Sequence, residues 1–244
     1  MVKKKIMTTL SVVALAGSLL STSAFAAENN GKESLVALGD SITYGYNLGK
    51  NNDHPSKKAF PYIIGEELNL RVSDLGVPGW TTIQLLAALQ NNEMFQESVK
   101  HADKITIDIG SNDLLQAFAD GNVTNQEVAP ILNNLKSIIL KVRSLTDAQI
   151  VVYNIYNPFQ VTDTYRHVMG NFLLQAINPQ IQAVVASLHD SEVSVADAYD
   201  AFGQNQAIYV RANDIHPTVE GQEQLAAIGY KAFIFESIKN RIFK

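Results

Sequence analysis

The chain has 244 residues, a formal net charge of −5 and no cysteine. The missing thiols exclude disulfides, thiolate metal sites, a cysteine nucleophile and a lipid-anchored lipoprotein. The acidic balance argues against nucleic acid or another polyanion as a partner.

Lys3, Lys4 and Lys5 precede an apolar run from Ile6 to Leu20, and Ala24-Phe25-Ala26 follows. This is the pattern of a secretory signal peptide, with an apolar stretch too short and too rich in Thr, Ser and Gly to span a bilayer. Residues 1–26 are expected to be removed on export, and the mature protein is expected to be secreted without stable membrane insertion. Taking away the three lysines of that segment, which holds no acid, moves the formal charge from −5 to −8. The remaining 27–244 are long enough for one sizeable core and short for two domains.

The first apolar run, Val36 to Leu38, predicts a buried strand that ends in Gly39-Asp40-Ser41. Gly39 is expected to turn the chain sharply through backbone angles closed to other residues. Asn47 to Lys58 has loop chemistry, and Pro61 suits the first turn of a helix carrying Ile63, Ile64 and Leu68. Leu70 to Leu75 predicts a second strand, followed by Gly76-Val77-Pro78-Gly79-Trp80. A helix capped at Thr81 or Thr82 is expected next, with Ile83, Leu86 and Leu89 inward. Lys104 to Gly110 alternates, Ile105, Ile107 and Ile109 on the more apolar face, and leads into Ser111-Asn112-Asp113.

Val128, Ile131, Leu135, Ile138 and Val142 fall at helical spacing, and Gln149 to Ile155 predicts the fourth strand. Phe159 to Leu174 reads as irregular, a pocket wall or plain core, with a helix beyond it kinked or started at Pro179. Val193 to Ala196 is a short last strand. The loop Arg211 to Thr218 precedes a closing helix. Five strands alternating with helices give an α/β fold with a parallel sheet.

In such a sheet all strand carboxyl ends share one edge, so Ser41, Gly79, Asn112 and His216 are expected to converge there. The set suits acyl transfer: a serine needs a base, a histidine titrates near neutral pH, and an oxyanion needs fixed donors. Gly39-Asp40-Ser41-Ile42, the Gly79 turn, Gly110-Ser111-Asn112-Asp113 and His216-Pro217 stand in the order of the four blocks of the SGNH (GDSL) hydrolases, which this chain resembles over nearly its whole mature length. The resemblance implies a three-layer α/β/α sandwich and esterase or lipase activity. It implies Ser41 as nucleophile, His216 as general base, and Ser41, Gly79 and Asn112 as the oxyanion hole. No cofactor and no metal are expected.

One position departs from that pattern. The family usually has Asp three residues before its His, where this chain has Asn213, with Asp214 one residue later. Three arrangements stay open: Asp214 serves after a local shift, Asn213 serves, or a backbone carbonyl orients the imidazole of a Ser-His dyad. Tyr44, Tyr46 and Trp80 adjoin the blocks as candidates to line a substrate pocket. Asp113 is expected to cap the helix that follows it. His54, His101, His167 and His189 read as loop or surface residues without ligand spacing, and Glu66-Glu67 as a solvated helix face.

A small-molecule or lipid ester is the expected substrate. The alternatives are a carbohydrate O-acetyl esterase and a catalytically silent glycan- or lipid-binding module, the latter suggested by Asn213 alone. A flavodoxin-like nucleotide binder lacks its glycine-rich phosphate cradle here.

Overall fold

A strand of six residues, β1 (Ser34–Gly39), opens the fold. A single turn, α1 (Ser41–Tyr44), and α2 (Phe60–Glu67) lead to β2 (Arg71–Gly76). Next come α3 (Thr82–Asn91), α4 (Glu93–Lys100), β3 (Lys104–Asp108), α5 (Ser111–Ala119) and α6 (Asn125–Arg143). The chain closes with β4 (Gln149–Tyr153), α7 (Thr164–Ala186), β5 (Val193–Ala196), α8 (Ala198–Phe202), α9 (Gln206–Tyr209) and α10 (Val219–Ile242). This computed structural model describes residues 31–119 and 125–242, so the expected signal segment lies outside the described residues. Among the described residues no helix is long and apolar enough to cross a membrane.

The five strands are all parallel and lie in the order β2-β1-β3-β4-β5. Strand alternation sends Val36, Leu38, Ile105, Ile107, Ile150 and Val152 to one face, where side chains of α3, α4, α6 and α7 cover them. Leu35, Val151 and Tyr153 go to the other, against Phe60 and Ile64 of α2, Phe202 of α8, and Leu225 and Phe233 of α10. The result is the expected α/β/α sandwich, with helices on both sides of the sheet.

Several local readings change. Ile83 is 62% exposed, and α3 buries Thr82 and Leu85 beside the expected Leu89, because that stripe faces α6. The segment Phe159 to Leu174 is not irregular throughout: α7 starts at Thr164 with Asp163 as its N-cap and runs through Pro179. The less apolar face of β3 is buried as deeply as the other, Thr106 and Asp108 lying under the second helical layer.

Gly39 has no positive φ; among the described residues the glycines that do are Gly45, Gly79, Gly110 and Gly203. Its requirement is space. A Cβ there would collide with Thr43 Oγ1 and with the backbone carbonyl of Asp108, which faces it across the β1–β3 pair. Gly39→Ala is therefore expected to destabilise the protein by about 3 kcal/mol, as overpacking against backbone does. A urea-unfolding midpoint unchanged from the parent would contradict this.

Candidate active site

The chain order of this sheet creates the crevice. From β1 it passes outward to β2 and returns to β3 on the opposite side, so the loops leaving β1 and β3 diverge at the carboxyl edge. Asp40 caps α1 by accepting a hydrogen bond from Ile42 N at 2.9 Å, which makes Ser41 the first helical residue, nearly buried at 7% exposure.

His216 Nε2 lies 2.9 Å from Ser41 Oγ, and His216 Nδ1 lies 2.6 Å from Asp214 Oδ1. A carboxylate on Nδ1 keeps the proton there and leaves Nε2 to accept from the serine hydroxyl. Burial pushes the Asp214 carboxyl upward, but the hydrogen bond from Asn47, the bond to and charge of His216, and the Ile215 N–H outweigh it. It therefore sits below its ordinary value. Its second oxygen accepts from Asn47 Nδ2 at 3.0 Å and pairs with Arg211 Nε at 3.4 Å.

The histidine loop is pinned from several sides. Arg211 N–H donates to the His216 carbonyl at 3.0 Å, and the Tyr156 hydroxyl donates to the Ile215 carbonyl at 2.8 Å. The Tyr46 ring packs on the imidazole, with centroids 5.1 Å apart. Asn213, the residue at the spacing usual in the resemblance, is exposed with φ +57°, and the side chain bonded to His216 is that of Asp214.

Asn112 and Gly79 reach the same edge. Asn112 Nδ2 donates to the Trp80 carbonyl at 2.9 Å and to Asp40 Oδ2 at 3.2 Å, tying the loops after β1, β2 and β3 together. Gly79 has φ +83° and no atom within 4 Å of where a Cβ would stand, so its backbone angle, and not space, requires glycine. Among the described residues neither the Ser41 N–H nor the Gly79 N–H has a partner. Asp113 does not precede its helix as a cap: α5 starts at Ser111, and the Asp113 carboxylate accepts from Thr82 N at 2.9 Å and Thr82 Oγ1 at 2.7 Å, holding the start of α3.

Beside Ser41 a cleft opens, walled by Leu114, Leu115 and Phe118 of α5, by Phe159, and by Leu173 and Leu174 of α7. Tyr44 and Trp80, expected to line a pocket, are not among its lining residues. The Tyr44 hydroxyl is turned to the Asn52 carbonyl at 2.7 Å, and the Trp80 ring stacks on Phe95 with centroids 5.6 Å apart. His167 is also not a surface residue. It is 5% exposed, with Nδ1 2.8 Å from the Phe159 carbonyl and Nε2 3.0 Å from Asn171 Nδ2. That pairing makes it a neutral ring protonated on Nδ1, bracing the cleft wall.

The sequence reading missed Asn47, whose role depends on a contact 167 positions away, and Leu114, Leu115 and Phe118 of the cleft, while Phe159, Leu173 and Leu174 lie in the segment offered as a pocket wall. It also missed the electrostatics beneath Ser41. Burial, against the lowering bond from Ile42 and with the nearby charge of Asp113, pushes Asp40 up to about 7. Burial and the charge of Asp40 push Asp108 well above the usual carboxylate range. Among the described residues no group of three His, Cys, Asp or Glu could hold a metal ion.

The model of the GDSL-like lipase/acylhydrolase family matches residues 37–224. Spore germination lipase LipC of Bacillus licheniformis is 27% identical over 213 residues, covering 80% of this chain and 95% of that protein. The uncharacterized protein YpmR of Bacillus subtilis is 25% identical, covering 86% of each. Among solved structures, the lipase Lip_vut3 from a goat rumen metagenome is similar with a TM-score of 0.68 and 25% identity, over 82% of this chain and 97% of that one. Axe2, an acetylxylan esterase from Geobacillus stearothermophilus, shares the fold with a TM-score of 0.60 at 18% identity, over 83% and 94%.

The lowered Asp214 carboxyl has a consequence for acid stability. A carboxylate held below its unfolded value contributes stability that is present above about pH 4 and lost as pH falls through the folded value. Asp214→Asn should therefore lose less stability than the parent between about pH 5 and about pH 3 in chemical denaturation. Parallel curves for the two proteins would contradict it.

Proposed function

The chain belongs to the GDSL-like lipase/acylhydrolase family, and from that premise we propose that it hydrolyses carboxylic esters through an acyl-enzyme on Ser41. The observation that carries the reading is the unbroken hydrogen-bonded chain from Ser41 Oγ through His216 to Asp214. His216 Nε2 takes the hydroxyl proton as Oγ bonds to the ester carbonyl carbon, and the carbonyl electron pair moves to oxygen. Asp214 keeps the imidazole in the correct tautomer and stabilises the imidazolium. The tetrahedral intermediate collapses, Nε2–H protonates the departing alkoxide, and the acyl group remains on Ser41. Water then repeats the sequence with His216 as base and releases the acid.

The oxyanion is received by the N–H groups of Ser41 and Gly79 and by the Asn112 amide. Asn112 already donates to Trp80 and Asp40, so the oxyanion takes over the longer of those bonds, the 3.2 Å contact to Asp40. Such donors each contribute roughly 3 kcal/mol to transition-state stabilisation. Asp214 on His216 also supports catalysis over a silent binding module, since the only sequence feature favouring the latter was Asn213. The ester is that of a small molecule or a lipid, and the acidic surface disfavours nucleic acid as a partner.

Lys3 to Lys5, the apolar run after them and Ala24 to Ala26 support export and removal of residues 1–26. Amino-terminal sequencing of protein recovered from the medium should then read from Ala27. Retention of the full chain inside the cell would reject this part.

Ser41→Ala should lower ester hydrolysis by roughly 10⁴-fold or more and abolish labelling by a fluorophosphonate, with the fold unchanged by circular dichroism. Asp214→Ala should lower kcat by about 10³-fold or more, while Asn213→Ala stays within about twofold. Turnover retained without Ser41 would sink the acyl-enzyme. A collapse on losing Asn213 with Asp214 dispensable would sink the role of Asp214.

A further inference from the structure

The cleft beside Ser41 has a composition and a length that its role as an ester site does not by itself require. Of its polar side chains, Asp40 is spent on Ile42 N and Asn112, and Tyr156 on the Ile215 carbonyl. Ser41, Asn112 and His216 belong to the reacting end, with Ser111 beside them. Among the described residues the remaining wall is hydrocarbon or aromatic, with no group placed to bond the hydroxyls of a sugar or of glycerol. An acetyl group would leave most of that wall unused.

The length comes from α5. Leu114, Leu115 and Phe118 follow Asn112 along this helix, and Phe118 is the last of the α5 residues that line the cleft. Six residues of α-helix advance about 9 Å, which matches an extended acyl chain of roughly eight carbons counted from the carbonyl. At that distance the Phe118 ring meets the Phe159 ring from the facing wall, with centroids 5.3 Å apart. Phe159 is held in place. Its N–H donates to Asn157 Oδ1 at 3.0 Å, and α7 approaches it at Gly170, where an added Cβ would stand 3.0 Å from Phe159 Cδ2.

We infer that the cleft is an acyl-chain pocket for straight, medium-length acyl groups of about eight carbons, and that the Phe118–Phe159 pair is its far end. This rests on the proposed ester hydrolysis at Ser41 and adds the substrate's acyl class to it. The leaving alcohol then departs on the solvent side, and the hydrocarbon stays in the cleft while the acyl-enzyme waits for water.

A series of 4-nitrophenyl esters from acetyl to palmitoyl keeps the leaving group constant, so differences report the acyl chain. kcat/KM should climb by up to about fourfold per methylene buried as far as octanoyl, and fall from dodecanoyl onward. Phe118→Ala opens the end and should raise the dodecanoyl-to-octanoyl ratio at least about fivefold. An optimum at acetyl, faster turnover of an acetylated xylo-oligosaccharide than of the octanoyl ester, or an equal effect of Phe118→Ala on every ester overturns the pocket while leaving Ser41-dependent hydrolysis standing. Turnover that survives Ser41→Ala fails the underlying reading instead. Because Phe118→Ala removes core contacts, the unmodified protein provides a second measurement with straight-chain alkylboronic acids, which bond Ser41 and carry their alkyl group where the acyl chain lies. Inhibition tightening at least about 30-fold from methyl to heptyl supports the pocket, and inhibition indifferent to length overturns it.

Discussion

The close approach of β1 and β3 at their carboxyl ends governs the rest of the site. Gly39 stands opposite Asp108 in the register, with no room for even a methyl group between them. Because the chain leaves β1 in one direction and comes back to β3 from the other, that contact is also where the loops part. Ser41 therefore starts its short helix against one lip of the crevice and Asn112 starts α5 on the other. The bond from Asn112 to Asp40 spans the lips, and Val77 N–H bonds to the Gly39 carbonyl at 3.1 Å to bring the Gly79 turn alongside. The proposed nucleophile and its oxyanion donors are placed by backbone geometry that a single added carbon would disrupt.

Two groups of carboxylates divide the electrostatic work around this edge. Asp40 and Asp108 are buried with few donors, and burial raises both above the usual carboxylate range, with the charge of Asp113 adding to it at Asp40 and that of Asp40 at Asp108. A pair of fixed negative charges there would oppose the oxyanion of the proposed mechanism, and raised affinity for protons reduces that opposition. Asp214, on the other side of the imidazole, keeps its charge because Asn47, His216 and the Ile215 N–H donate to it. Environment thus separates similar side chains: burial raises the carboxyls of Asp40 and Asp108, while hydrogen-bond donors and the charge of His216 hold that of Asp214 low. The raised values carry a cost, since an acid with a raised folded value withdraws stability as pH rises from about 4 toward that value.

The strands and the four loops were legible because their signals are local: short apolar runs, the first three of them leading into Gly39, Gly76 and Gly110. The family resemblance worked for the same reason, its blocks lying at strand ends. What was not legible depends on packing between distant segments. Ile83 has the hydrophobicity of a core residue, and only the position of α6 decides that Leu85 is the one buried. His167 lacks a partner in sequence; its partners, the Phe159 carbonyl and Asn171, exist once α7 begins at Thr164 rather than at Pro179. Trp80 looked like a pocket aromatic from its place beside Gly79, but Phe95, from the next helix, holds its ring.

The choice between Asn213 and Asp214 illustrates how spacing and chemistry come apart. An imidazole needs an acceptor near Nδ1, and which residue supplies it depends on the turn between acid and histidine. Here Arg211 N–H closes the loop onto the His216 carbonyl, and the residue in the left-handed region inside it is Asn213. Asparagine tolerates that conformation better than most residues. The turn sets Asp214 two positions before the histidine, with one oxygen on the ring and the other on Asn47. A rule that demands the acid three residues before the histidine would class this chain as impaired. The physical requirement is a charged, hydrogen-bonded carboxylate at Nδ1, and a tighter loop with an asparagine at its corner meets it at the shorter spacing.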